Sequence, residues 1–198
     1  VKLILVRHGQ TDWHDPKRAQ GKTDVPLNET GKIQAALLGK QYENVQIDRI
    51  FASDLGRAQE TARTLKRPID TRTVLRERSY GEWEGGAFGE VNAMIKAKGE
   101  AEGTDDLRAA PPGGESFADV WKRVTPFVQE LLELDGTNVV VSHGGTMATM
   151  VSQLIHGNLE TIHSFHFYNC SSTELEIRAD GHILLHCVST PVPGDPAL

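Results

Sequence analysis

The chain has 198 residues, 38% hydrophobic and 24% charged, with 21 Lys and Arg against 27 Asp and Glu for a formal net charge of −6. That length supports a domain-sized core. The acidic balance argues against nucleic acid or a membrane surface as the main partner, so an anionic substrate must be held by a local cluster of cations.

The chain opens on a short apolar run, Val1 to Val6, that stops at Arg7-His8-Gly9. The run predicts a strand buried on both faces, as in a parallel sheet. Arg7 and His8 then stand at a strand end, the rim where open α/β sheets bind ligands. Gly9 allows a sharp turn or a close approach to a ligand. Thr11 to Leu27 reads as a loop carrying Trp13 and His14. A helix is predicted from Asn28 or Thr30 to about Asn44, a strand over Ile47–Ser53, and a helix over Asp54–Lys66 stopped by Pro68. A short strand follows at Ile69–Thr73. Arg76–Gly89 reads as a glycine- and aromatic-rich loop and Phe88–Lys98 as a helix. Gly99–Glu115 is acidic and contains Pro111-Pro112-Gly113-Gly114. The span 83–114 reads as an insertion or lid over the sheet, its 99–114 part equally as a loose surface loop.

Ser116 is placed to cap a helix whose apolar residues, Phe117 to Leu132, recur at three- and four-residue spacing. Pro126 predicts a kink or break near Thr125. Asn138–Ser142 is a second fully buried strand, running out into His143-Gly144-Gly145, with a helix expected over Thr146–His156. Phe165–Tyr168, Thr173–Arg178 and Ile183–Val188 are read as completing the sheet, the last two as a hairpin around Asp180-Gly181. The tail, Thr190–Leu198, carries three prolines and is expected to fray. Alternating strands and helices imply one domain, 1–198, of α/β class: a three-layer sandwich around a mostly parallel sheet. Cys170 and Cys187 have no metal spacing. With no stretch resembling a secretory signal or a membrane span, they are expected as free thiols in a reducing cytoplasm.

If the strands run parallel, Arg7, His8, Arg57, Glu77 and His143 meet on one rim. Arg57 falls in the first turn of its helix, where it opposes the helix dipole; a bound anion there would offset that cost. Two guanidinium groups match phosphate oxygens. One imidazole can attack phosphorus while the other bonds an equatorial oxygen, and Glu77 can protonate the leaving oxygen. Glu82 and Glu84 are rivals for that acid. No metal is called for, because the arginines supply the positive charge. The pairs His163/His166 and His182/His186 are spaced like ligands but have no evident third partner, and read as surface or edge histidines.

Five separated segments, Leu5–Thr11, Ser53–Ala62, Leu75–Gly85, Pro112–Ser116 and Val141–Thr146, together resemble the histidine phosphatase superfamily in its phosphoglycerate mutase-like branch. The resemblance implies a phosphoglycerate mutase-like fold and no cofactor. It makes His8 the phosphorylated nucleophile, Arg7, Arg57 and His143 the phosphate pocket, and Glu77 the proton donor and then the base for water. It puts Gln20, Gly21 and Gly144 near the substrate and makes Thr11 a support of the His8 loop. One position departs: the family usually has Asn where this chain has His14. His14 is expected to keep a phosphate bond and to add a charge when protonated.

The short, acidic insertion, and Gly144-Gly145 where mutases usually have Gly-Asn, favour a metal-independent phosphomonoesterase of a small metabolite. The run Glu77 to Gly81 is close to mutase usage, so a 2,3-bisphosphoglycerate-dependent phosphoglycerate mutase is the alternative. A catalytically silent phospho-ligand or partner-binding relative is a third reading. Selectivity is expected from Trp83, Phe88, Met94 and Arg108. Oligomeric state is open, a homodimer included.

Overall fold

The computed structural model describes residues 1–197. Six strands form one sheet: β1 (Lys2–Arg7), β2 (Arg49–Ala52), β3 (Ile69–Thr71), β4 (Thr137–Ser142), β5 (Ser172–Ile177) and β6 (Ile183–Thr190), in the order β3-β2-β4-β1-β5-β6. The first four are mutually parallel, and β5 and β6 continue the sheet antiparallel. Five α-helices accompany them: α1 (Glu29–Gln41), α2 (Gly56–Arg63), α3 (Phe88–Glu102), α4 (Phe117–Leu132) and α5 (Gly144–Leu154).

The layering follows from the period of two along a strand. Leu3 and Leu5 of β1 pack with α4 and α5 through residues such as Val124 and Met147. Ile4 and Val6 point the other way and pack with α1 and α2 through Leu38 and Ala62. Because both faces are covered, the strand reads as a continuous apolar run. α1 starts at Asn28, whose side chain accepts from Gly31 N, so the Thr30 start is discarded. Ser116 and Asp119 form a reciprocal capping box on α4.

Four sequence expectations need correction. Phe165–Tyr168 is not a strand: the Phe167 carbonyl accepts from Arg7, and Tyr168 N donates to Ser189 Oγ, so no ladder forms there. Pro126 does not break α4, which runs unbroken from Phe117 to Leu132. Within this helix the Trp121 carbonyl also accepts from Thr125 Oγ1 and Gln153 Nε2. The tail is tied down, with Val192 buried and Asp195 accepting from the Gln34 amide. Gly9 lies against the α1 backbone rather than a ligand; a Cβ there would stand 2.6 Å from Gly31 O.

α3 belongs to neither sheet face. Its Val91 and Ile95 join Ala19, Tyr80 and Ala109 in a separate small core. Leu107 and Ala109 are buried, which pins the acidic stretch that also read as a loose loop. Cys170 and Cys187 are free thiols. Among the described residues no helix is long and apolar enough to cross a membrane.

Leu3→Ala removes a fully buried side chain from the face covered by α4 and α5. The expected cost is about 2–5 kcal/mol, read as a lower urea midpoint at unchanged slope.

Candidate active site

Strand register assembles the centre. Arg7 pairs with Ser142, and Ala52 with Val141, across adjacent parallel strands. One step beyond lie His8, His143 and Ser53, tied by His8 N to Ser142 O (3.0 Å) and Ser53 N to Val141 O (3.0 Å). The His8 and His143 ring centroids are 5.0 Å apart. Arg7, His8, Arg57, Glu77, Gly144, Gln20, Gly21 and His14 all line one cleft of about 720 Å³. His143 sits behind His8, off the cleft wall, and Thr11 reaches the cleft only through His14.

Each group is held in a definite way. His8 Nδ1 lies 2.7 Å from Gly9 O. A carbonyl only accepts, so Nδ1 carries the hydrogen and Nε2 keeps its lone pair. Arg57 is fully buried; its Nη1 donates to Thr23 O and its Nη2 to Gly21 O, both at 2.7 Å. Arg7 Nη1 donates to Phe167 O (2.5 Å) and Nη2 to His14 Nε2 (2.9 Å). His143 Nε2 is 2.9 Å from Ser53 Oγ. Glu77 sits at the start of α5, accepting from Gly145 N (3.0 Å), Thr146 N (3.1 Å) and Arg78 N (2.9 Å). A carboxylate suits that helix N-terminus. Gly145 makes room for it: a Cβ there would stand 2.8 Å from Glu77 Oε1.

Among the described residues, four buried side-chain N or O atoms have no hydrogen-bond partner: Arg7 Nε, Arg57 Nε, His143 Nδ1 and Gln20 Oε1. All belong to this centre, and three are nitrogens of cationic or imidazole groups. Buried polar groups are nearly always paired. The two guanidinium Nε–H groups are buried donors with no acceptor in the protein.

A family model described as the histidine phosphatase superfamily (branch 1) matches residues 3–190. The chain belongs to the histidine phosphatase superfamily. It is 35% identical over 190 residues to 2,3-bisphosphoglycerate-dependent phosphoglycerate mutase 2 of Gloeobacter violaceus, covering 90% of this chain and 87% of that one. It is 36% identical over 167 residues to glucosyl-3-phosphoglycerate phosphatase of Mycolicibacterium vanbaalenii, covering 78% and 74%. The crystal structure of the alpha-ribazole phosphatase from Shigella flexneri superposes with a TM-score of 0.85 at 26% identity over 98% of each chain.

In this histidine phosphatase the rivals of Glu77 are otherwise engaged. Glu82 is exposed. Glu84 accepts from Lys22 N, Thr23 N and Tyr80 N, bracing the loop that presents Gly21 and Thr23 to Arg57. Of the four selectivity candidates only Phe88 lines the cleft; Trp83 and Met94 do not, and Arg108 pairs with Asp105 and Glu160 at the surface. The paired histidines gather no cluster of three metal-binding side chains among the described residues. His182 lies outside β6, and His186 bonds Glu176.

Sequence reading gave no role to Ser53 or to Asn169, whose amide donates to His8 O. Ser53 was visible in its motif beside Arg57. Asn169 has no local signal: it lies just past Phe165–Tyr168, in a turn. His14 differs from expectation: both of its ring nitrogens are taken up by protein groups.

Electrostatics keeps the imidazoles neutral. Burial first, then the Arg57 charge, pushes His8 well below its ordinary range. Burial, Arg57 and Arg7 do the same to His143. Burial and Arg7 lower His14 to about 3. Burial also lowers Arg7 and Arg57, opposed chiefly by the charge of Glu77.

These shifts set a stability profile. An unfolded chain protonates its histidines below about pH 6.5, while the folded protein holds these three neutral. The stabilisation is complete above that pH and is lost as the pH falls through it. Urea unfolding should therefore show a midpoint that declines steadily from pH 7 to pH 5. Asp54 and Glu115, whose values are lowered, add their loss only in stronger acid. A flat midpoint across that interval contradicts the assignment.

Proposed function

We propose that the protein is a metal-independent phosphomonoesterase that hydrolyses a small phosphorylated metabolite through a phosphohistidine on His8. The observation that carries this reading is the set of unpartnered nitrogens, Arg7 Nε, Arg57 Nε and His143 Nδ1, beside an imidazole whose Nε2 lone pair is free. Ser53 Oγ accepts from Leu55 N and lies 2.9 Å from His143 Nε2, and on this reading its hydroxyl donates to Nε2. His143 Nδ1–H is then a donor for a phosphoryl oxygen.

The reaction runs in two displacements. His8 Nε2 attacks phosphorus, the ester P–O bond breaks, and the leaving oxygen takes a proton through Glu77, whose carboxylate receives it from the monoanionic ester on binding. Glu77 then removes a proton from water, whose oxygen attacks the phosphoryl group. The P–N bond breaks, returning neutral His8 and releasing phosphate. The arginines neutralise the transferring group, worth roughly 10³–10⁵ in rate for an arginine so placed. Proton donation adds roughly 10²–10⁴.

The cleft bears on the leaving group. Its walls away from the arginines include Trp13, Phe88, Ile95, Phe117, Phe165 and Tyr168. The next cation inward, Arg78, is spent: it donates to Glu115 O and Ala109 O and lies 4.4 Å over the Phe117 ring. Lys17 and Arg18 also line the cleft, but both are exposed and Arg18 donates to Gly85 O, so the carboxylate of a three-carbon acid phosphate would find apolar wall and no free buried guanidinium. This favours a bulky, apolar leaving group and hydrolysis over the mutase reaction carried out by one of the relatives. The full set of reactive residues speaks against a silent relative. The free thiols Cys170 and Cys187 suit a reducing cytoplasm.

A panel of phosphomonoesters, read by released phosphate against a His8→Ala control, tests the proposal. Aromatic or otherwise bulky esters should exceed phosphoserine and 3-phosphoglycerate in kcat/KM by roughly tenfold or more. Interconversion of 3- and 2-phosphoglycerate with little free phosphate would establish the mutase instead. Glu77→Gln should lower kcat by roughly 10²-fold, with the fold intact by circular dichroism.

A further inference from the structure

The two arginines of the site are gripped in the same manner, and one grip is unusual. Arg57 gives both terminal nitrogens to backbone carbonyls, Thr23 O and Gly21 O, and keeps Nε–H unpartnered. Arg7 gives one terminal nitrogen to a carbonyl, Phe167 O, and the other to a side chain, His14 Nε2 at 2.9 Å. Its Nε–H is likewise buried and unpartnered. His14 Nε2 stands to Arg7 where a carbonyl stands to Arg57.

The charged neighbour decides the imidazole's state. Both ring nitrogens face donors, because Thr11 N–H points at Nδ1 from 3.0 Å while the Arg7 guanidinium faces Nε2. A neutral ring has one lone pair; given to the charged donor at Nε2, it leaves the ring hydrogen on Nδ1, 3.1 Å from Thr11 Oγ1 and 3.3 Å from Thr11 O. Gln20 Nε2 at 3.2 Å from Nδ1 and Asn169 Nδ2 at 3.1 Å from Nε2 complete the surroundings. The His8 ring lies 5.6 Å away, and Arg57 adds a second nearby positive charge. The ring hydrogen faces Thr11, so none is left to offer a phosphate.

We infer that His14 is a positioning residue, a neutral acceptor that holds the Arg7 guanidinium by one Nη so that its Nε–H is presented to the phosphoryl group. This rests on the phosphatase reading and corrects the expectation that His14 itself binds phosphate. Protonating His14 would set N–H against N–H at Arg7. The same burial and charge that keep the ring neutral therefore keep the grip intact through the physiological range.

The test is a double-mutant cycle with a pair of isosteres. Gln carries its terminal amide about where an imidazole carries Nε2, whereas Asn reaches only as far as Nδ1. His14→Phe should lower kcat by roughly 10²-fold with KM changed far less, the usual scale for a misplaced catalytic group. His14→Gln should recover most of that loss and His14→Asn should not. In an Arg7→Lys background, which has no second terminal nitrogen to hold, His14→Phe should cost less than about twofold, since coupled residues are non-additive.

The cycle is read in parallel by calorimetric binding of inorganic phosphate, which needs an intact pocket but no turnover. His14→Phe should weaken that binding roughly tenfold beside Arg7 and hardly at all beside Lys. A wild type that binds phosphate but hydrolyses no ester would sink the phosphatase reading and leave the binding cycle to judge His14. Equal losses in both Arg7 backgrounds, or His14→Asn matching wild type while His14→Gln fails, would overturn the positioning role. If His14→Phe does not fold, the comparison of Gln with Asn decides alone.

Discussion

Two guanidinium groups, one of them fully buried, are held at their tips by acceptors that carry no charge: three carbonyls and one imidazole nitrogen. Burying a cation costs several kcal/mol unless its surroundings offset the lost hydration. The acidic side chain nearest in effect, Glu77, is spent on the amides at the start of α5 rather than on either arginine. The exposed Asp24 carboxylate approaches Arg57 Nη1 only to 3.9 Å, so the centre keeps a partly offset positive charge on a protein whose net charge is −6. In the proposed reaction a dianionic phosphoryl group supplies what the fold withholds.

The same potential solves a second problem. A histidine nucleophile is useless when protonated, and an exposed imidazole is partly protonated near neutral pH. Here burial, and then the same cations that the proposal assigns to the phosphate, keep His8 and His143 neutral. The carbonyl of Gly9 then selects which nitrogen of His8 is free to react. The parallel register of β1, β4 and β2 sets the spacing of these groups, with side chains packed on both sheet faces to hold it.

Much of this was legible in the chain itself. Leu3 to Val6 and Val139 to Val141 announce doubly buried parallel strands, and the polar residues just past them fall on one rim for that reason alone. Four of the catalytic candidates, Arg7, His8, Glu77 and Arg57, come to line a single cleft, with His143 directly behind His8. What stayed hidden depended on partners far away in sequence. Phe165–Tyr168 has the composition of a strand, but its backbone is taken by Arg7 and Ser189, 160 and 21 residues distant. Pro126 looks like a helix breaker, yet Val124, Phe127 and Val128 on either side of it are buried in one core with β1 and α5, and the helix runs through. His14 resembles a substituted phosphate ligand until its two nitrogens are counted against Thr11 and Arg7. Local pattern reports periodicity and chain punctuation; it does not report who accepts a given hydrogen.

The most direct measurement is the position of the phosphoryl group on the enzyme. Rapid acid-free quenching during turnover of a labelled phosphomonoester, followed by phosphorus NMR and peptide mapping, identifies both the residue and the ring nitrogen modified. The account predicts an acid-labile phosphoramidate on His8 at Nε2, absent from His8→Ala. Modification at Nδ1, or on a different residue, or turnover that proceeds at full rate without any phosphoenzyme, would contradict it.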